Sequence, residues 1–463
     1  MELRNLTIKE MKDGFNNKDF SPVEITRDYL NRIEEFNELN AFITVTGEIA
    51  LKQAAIVEQK YLAGEQTGVL EGVPISYKDN LYTKGIRTTS GSKIEENFIP
   101  DVDAGIVSKL QRAGAVNLGK VNMHEYAFGI TSDNPFYNPV KNPWNTAYTP
   151  GGSSGGSGTA VAASLCAASI GTDTAGSIRI PAASTGIVGL KPTHGLIIDT
   201  NVRNISWSLD HIGPLTKNMG DLGIMMDAMT GEDYSSSLSE DIRGLRIGVP
   251  KNYFNDLIEN NTAELYAEAL ANLEKLGAIL IEVEIPFSQA DLAYSLSIGI
   301  AEAGFVHEKF LAESIDLYGR DVKASLEFSH SILALDYIKA LKRKNEVFMD
   351  FEELFTTVDI LATPTMPDTT KKIGETKFEI NGVMDSTFNS MIRLPAVFNF
   401  TGQPALSLPC GIAQNGLPVG LQLASSSFNE RTLLHAGYAY EQAFLGSFYE
   451  EREKRLLKSS LTN

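Results

Sequence analysis

The chain has 463 residues, of which 43% are hydrophobic and 21% charged, the makeup of a globular protein with a large core. Its 58 acidic and 40 basic side chains leave a formal net charge of -18, a field that repels phosphate backbones and acidic lipid headgroups and so argues against direct nucleic-acid or membrane-surface binding. Cys166 and Cys410 are too few for a disulfide framework, no run of about 18 apolar residues predicts a membrane span, and MELRNLTIKEMKDGF lacks a secretion signal's basic-then-apolar order, so a cytoplasmic protein with reduced thiols is expected.

Along the chain, Ser21-Pro22-Val23-Glu24 is a capping box with Pro at the first helical position and predicts a helix to about Glu35. Its apolar Ile25, Tyr29 and Ile33 recur every four residues on one face. A strand in AFITVT from Ala41 and a helix over 49–62 follow. The β-leaning GVPISYKDN then places Lys78 at a strand end, where its side chain can turn inward. Residues 103–112 read as helix and AVNLGKVNM from Ala115 as a strand and turn. GAVNLGKV from Gly114 approaches a phosphate-binding loop, but Val121 stands where Ser or Thr must ligate magnesium, and the apolar run lies inside the motif instead of before it.

Between Gly151 and Gly158 stand five Gly and three Ser. Apolar, alanine-rich sequence follows directly, predicted as a helix over 159–169, and then GTDTAGS. A linker does not run into buried sequence in this way, whereas a loop that must present free N–H groups among small side chains does. LRIGVP from Leu245, a helix over 262–276 and AILIEVEIP from Ala278 give a βαβ rhythm. Residues 290–354 read as a helical covering layer. VDILATPTMP, PALSLPCG and LPVGLQLAS are further strands, and 429–444 a closing helix. With no repeat and no dividing linker, one α/β domain over 1–463 is expected.

The order GGSSGGS, DTAGSIRIPA and GLKPTHG, supported by NPWN, SLDHIGPL, ATPTMP, GQPALSLPCG and GLPVGLQL, resembles the amidase signature family, serine hydrolases of carboxylic amides. The resemblance covers most of the chain. It implies a mixed central sheet wrapped by helices, no cofactor, and a Ser-Ser-Lys triad, with Ser177 as nucleophile, Ser153 as a relay entered through a cis peptide bond, and Lys78 as base. It further implies an oxyanion hole from the N–H groups of Thr174, Ala175, Gly176 and Ser177. Asp173 and Arg179 are expected to hold the nucleophile loop, and Ser154 to hydrogen-bond within its own loop. By the family's layout, the acyl pocket is lined by Tyr126, Phe128, Ile180 and parts of 290–400.

Amide hydrolysis needs a nucleophile, a base that takes its proton and returns it to the leaving nitrogen, and donors for the tetrahedral oxyanion. A lysine with the ordinary pKa of about 10.4 is almost wholly protonated at neutral pH. Lys78 can therefore serve only if it is buried among neutral groups, with Asp79 aimed elsewhere. GGSSG and GSSGG also satisfy GxSxG, but that nucleophile elbow requires a strand directly before it, and NPWNTAYTP, ending in Pro150, is turn-forming. HEYAF at His124 and HEKFL at His307 lack the second His of a zinc motif, and no CxxC occurs, so no metal is expected.

The first reading is a stand-alone amidase for a small amide with an apolar or aryl acyl group, compatible with a homo-oligomer. The alternative is the glutaminase subunit of a glutamyl-tRNA(Gln) amidotransferase, which delivers ammonia to a partner subunit. His124 after GKVNM, where that glutaminase usually has an acidic residue, and Ala175 and Ile180, where it usually has Gly and Gln, favour the first. A catalytically silent interaction protein is opposed by the three filled triad positions.

Overall fold

The computed structural model describes residues 3–65 and 67–456. Local sequence chemistry sets the first helices. The Glu24 carboxylate accepts the Ser21 N–H at 2.8 Å and the Ser21 hydroxyl accepts the Glu24 N–H at 3.2 Å, closing the box ahead of Pro22–Glu35, whose Ile25, Tyr29 and Ile33 are buried. A second box, Thr7 with Glu10, opens Ile8–Asn17, a helix absent from the predicted elements.

The strands are β1 (Phe42–Val45), β2 (Pro74–Lys78), β3 (Val116–Val121), β4 (Ala168–Asp173), β5 (Val188–Lys191), β6 (His211–Thr216), β7 (Arg246–Pro250), β8 (Ile279–Val283), β9 (Ile360–Pro364), β10 (Lys377–Ile380), β11 (Val383–Ser386), β12 (Ala405–Ile412) and β13 (Pro418–Ser425). Apart from the β10–β11 hairpin they form one eleven-stranded sheet, wrapped by helices, in the order β1-β3-β2-β4-β6-β5-β12-β13-β9-β7-β8. β2 runs parallel to β3 and β4, and β7 to β8 and β9; β4, β6, β5, β12, β13 and β9 pair in succession antiparallel, so the sheet is mixed. β2, β3, β4 and β9 are buried at every residue, which is why they read as near-continuous runs instead of alternating ones.

The helix predicted over 159–169 is displaced. It occupies Gly155–Ala162, Ser164 then turns at φ 55°, and Ala168–Asp173 joins the sheet as β4. Packing overrides propensity at both ends. The helix begins inside the glycine run because a Cβ on Gly156 would lie 2.2 Å from the Asn122 carbonyl oxygen. The alanine-rich tail is drawn into the slot between β2 and β6. The β10–β11 turn, Asn381-Gly382, has φ of 49° and 83°, a two-residue hairpin signal in EINGVM not counted among the predicted strands.

The covering region consists of Gln289–Val306, Glu308–Ser314, Arg320–Phe328 and Ala334–Leu354. Leu292, Ile298, Ala340, Val347 and Phe351 from its first and last helices pack with Phe398 and Phe400 in one buried cluster. Among the described residues no helix is long and apolar enough to cross a membrane.

Candidate active site

Lys78 ends a strand buried along its whole length between β3 and β4, so its ammonium has no route to solvent and must find partners inside. Its Nζ lies 2.7 Å from Ser153 Oγ and 2.7 Å from Thr172 Oγ1, with the Thr172 carbonyl at 3.4 Å. No carboxylate pairs with it among the described residues. The neighbouring Asp79 accepts the N–H and hydroxyl of Thr89, at 2.8 and 2.5 Å, and lies 3.7 Å from Lys120 Nζ. Burial lowers the Lys78 pKa to about 7, against a weaker upward pull from the Asp210 and Asp173 carboxylates.

The Gly152–Ser153 peptide bond is cis. The Ser153 carbonyl accepts the His124 N–H at 3.2 Å, and the Ser154 N–H donates to the Ser177 carbonyl at 3.2 Å, so the two serine loops meet through their backbones. Ser154 departs from its expected role within its own loop. Its hydroxyl donates to the Thr172 carbonyl at 3.0 Å and accepts the Thr172 N–H at 3.3 Å, because the glycine-rich helix start lies against the end of β4.

Asp173, the last residue of β4, accepts the N–H groups of Gly176 at 2.6 Å and Ile178 at 3.1 Å, and a bidentate pair from Arg179 at 3.0 Å each. Arg179 continues to the Pro395 carbonyl at 2.8 Å, Gln422 Oε1 at 2.7 Å and Asn399 Oδ1 at 2.6 Å. Neither side chain reaches solvent, and the guanidinium with its hydrogen bonds holds the Asp173 carboxyl well below the usual carboxylate range in spite of burial. The loop that bears Ser177 is thus strapped to its own strand and to the segment from Pro395 to Asn399. Gly176 sits in it at φ 119°, where a Cβ would meet Pro395 Cγ at 2.7 Å.

The four predicted oxyanion donors separate. The Gly176 N–H is aimed at Asp173 and is not free, because the loop is closed by that bond. Those of Thr174, Ala175 and Ser177 have no protein acceptor among the described residues. Ser177, with Thr174 and Ala175, borders a cavity of about 190 Å³ that no charged side chain lines.

Of the residues predicted to line this cavity, Phe128 does. Tyr126 does not: its backbone turns at φ 49° and sends the ring into a buried cluster with His307, Phe310 and Tyr318, at centroid distances of 4.5, 6.1 and 5.7 Å. Ile180 lies beneath the loops instead, where its side chain leaves a Cβ on Gly151 or Gly176 only 2.8 Å. Leu296, Ile300, Phe388 and Ile392 come from the expected region 290–400, whereas the walls Ile205 and Leu209 lie outside every predicted segment. One usable signal was the small pair Ser295 and Gly299, four apart in AYSLSIGIAEAG, which marks a helix face that something approaches closely; both residues line the cavity. Thr172 beside Lys78, and Asp210, which accepts the Thr174 hydroxyl at 2.6 Å, carried no such signal. Among the described residues no group of His, Cys, Asp and Glu side chains could hold a metal ion.

A family model described as amidase matches residues 24–434. With that match and this sheet, the chain belongs to the amidase signature family. Among curated proteins it is 37% identical over 482 residues to a glutamyl-tRNA(Gln) amidotransferase subunit of Thermoanaerobacter pseudethanolicus, covering 96% of this chain and 97% of the relative. Among solved structures it is similar to a chain from a vestigial protein complex bearing on the origins of an s-triazine catabolic enzyme, with TM-score 0.91, 30% identity and coverage of 95% and 99%. It is also similar to a bacterial aryl acylamidase, with TM-score 0.88, 26% identity and coverage of 96% and 98%. The curated relatives bear the amidotransferase name, and so stand with the glutaminase alternative more than with the stand-alone amidase.

Proposed function

We propose that this chain hydrolyses carboxylic amides through an acyl-Ser177 intermediate, with Lys78 as the base. The observation that carries the proposal is the company Lys78 keeps: two hydroxyls at 2.7 Å and no ion-pair partner, with burial lowering its pKa to about 7. A neutral amine at neutral pH is what the reaction requires. Ser177 Oγ attacks the amide carbon; its proton passes to Ser153 Oγ, and the Ser153 proton passes to Lys78 Nζ. The oxyanion is received by N–H groups of the Thr174 to Ser177 turn. Collapse breaks the carbon–nitrogen bond as the proton returns through Ser153 to the leaving nitrogen, and water then repeats the sequence on the ester, releasing the acid and free Ser177.

The uncharged lining beside Ser177 supports an amide with an apolar or aryl acyl group. Free glutamine brings, beside its side-chain amide, an α-ammonium and an α-carboxylate, both costly to place without partners. The names of the curated relatives favour a second reading, an amidotransferase glutaminase that passes ammonia to a partner. Steady-state hydrolysis of matched aliphatic, aryl and amino-acid amides tests the two. The proposal expects kcat/KM for an aryl amide to exceed that for glutamine by about a hundredfold or more, roughly 3 kcal/mol of discrimination. Preference for glutamine, with tRNA-dependent activity and a co-purifying partner protein, would replace it with the second reading.

A further inference from the structure

The cavity is closed by two elements distant in sequence: the loop 205–210, which contributes Ile205 and Leu209, and the helix Gln289–Val306, which contributes Ser295, Leu296, Gly299 and Ile300. One carboxylate, Glu302, ties them together, and a second, Asp210, fastens the loop to Thr174. Asp210 faces the nucleophile loop, accepting the Thr174 hydroxyl at 2.6 Å and the N–H groups of Ile205 and Ser206 at 2.9 and 3.1 Å. Glu302 faces the helix side and is 1% exposed. Its Oε2 accepts the Ser206 hydroxyl at 2.6 Å and the Ser208 N–H at 3.1 Å, and its Oε1 accepts the Ser208 hydroxyl at 2.6 Å and the Tyr337 hydroxyl at 2.7 Å. All four bonds have neutral donors, and no Lys, Arg or His lies within ion-pair distance of Glu302 among the described residues. Tyr337 belongs to Ala334–Leu354, the other long helix of the covering region.

A buried carboxylate held by four neutral donors, with the Lys344 charge felt only from beyond ion-pair distance, fixes geometry more than it adds electrostatic attraction. It sits less than one helical turn past Gly299 and Ile300, so it sets the roll and height of that wall relative to the loop that Asp210 fastens to Thr174. We infer that Glu302 is a positioning residue for acyl specificity: it holds the two walls at the separation an apolar acyl group must span. The inference rests on the amidase reading given above. A large acyl group touching both walls depends on the clasp, whereas a short one that reaches only Ser177 does not.

Glu302→Gln leaves the clasp able to close: the amide oxygen takes the Oε2 place and keeps the Ser206 hydroxyl and the Ser208 N–H, while its NH2 donates to the Ser208 and Tyr337 hydroxyls, which rotate to accept. Glu302→Leu removes every acceptor at similar volume. KM and kcat are measured for acetamide, hexanamide and benzamide with the wild type, E302L, E302Q and Tyr337→Phe. E302L is expected to raise KM for the two larger amides about tenfold or more, a loss of roughly 1.4 kcal/mol, and to leave acetamide turnover within about twofold; E302Q restores the larger amides toward the wild type, and Tyr337→Phe, losing one bond, shifts them by less than E302L does. Calorimetric binding of benzamide to Ser177→Ala with and without E302L reports the clasp in the absence of turnover. If the wild type hydrolyses none of these amides yet S177A binds benzamide about tenfold tighter than the double variant does, the functional reading fails and the clasp stands. If the wild type hydrolyses them, but E302L and Tyr337→Phe change all three equally or not at all, the clasp is wrong and the functional reading stands.

Discussion

On the proposed mechanism the reaction turns on the protonation state of Lys78, and burial sets that state. Below its pKa of about 7 the amine holds a proton and cannot take one from Ser153, so kcat/KM is expected to fall about tenfold per pH unit below 7 and to level above it. The stability sign follows from the same shift. Between about pH 7 and 10 the unfolded chain binds a proton at Lys78 that the folded chain has released, so this group's contribution to stability rises with pH across that window. Lys78→Met should abolish turnover and flatten that part of the stability profile, read by urea denaturation across pH. A profile of kcat/KM that rises only above pH 9 would show a lysine that keeps its charge in the site.

At the scale of elements, the segments that carry Lys78, Ser153 and Ser177 were legible because each lies in a short, distinctive string. GVPISYKDN ends a buried strand, GGSSGGS opens a helix and DTAGS follows β4. The helix start itself was misplaced, since glycine lowers helix propensity and only the close approach to Asn122 explains its use there. Gly156→Ala tests that account. Its Cβ would meet the Asn122 carbonyl oxygen at 2.2 Å and the Asn122 nitrogen at 2.6 Å. Backbone cannot step aside as a side chain end can, so a loss of about 1–3 kcal/mol or more in urea unfolding is expected, although propensity alone would make the change stabilising. Of the pocket walls only Phe128 and the broad region 290–400 were legible, not the individual side chains of that region or the loop 205–210. Tyr126 and Phe128 stand two residues apart, and a backbone turn at φ 49° decides that the first joins an aromatic cluster. Ile300, Phe388 and Ile392 meet Leu209 only through the fold, and no local pattern announces it.

The whole molecule supplies what no segment holds. The mixed sheet brings Lys78 from β2, the helix start after Gly152 and the turn after β4 to one buried point, and the strap from Asp173 through Arg179 to Pro395 and Asn399 ties that point to the C-terminal half of the sheet. The net charge of -18 and the uncharged cavity lining are the whole-molecule features on which the proposed preference for an apolar acyl group rests. If the proposed mechanism holds, Ser177 is reactive only in the folded chain and only with Lys78 present. The most direct test is the rate of covalent labelling by a phosphonofluoridate probe, located by mass spectrometry, in wild type, Lys78→Met and urea-unfolded chain. The account predicts a single label on Ser177 in the folded wild type, slowed about a hundredfold or more without Lys78 and absent after unfolding; a label on another residue, or an undiminished rate in Lys78→Met, would contradict it.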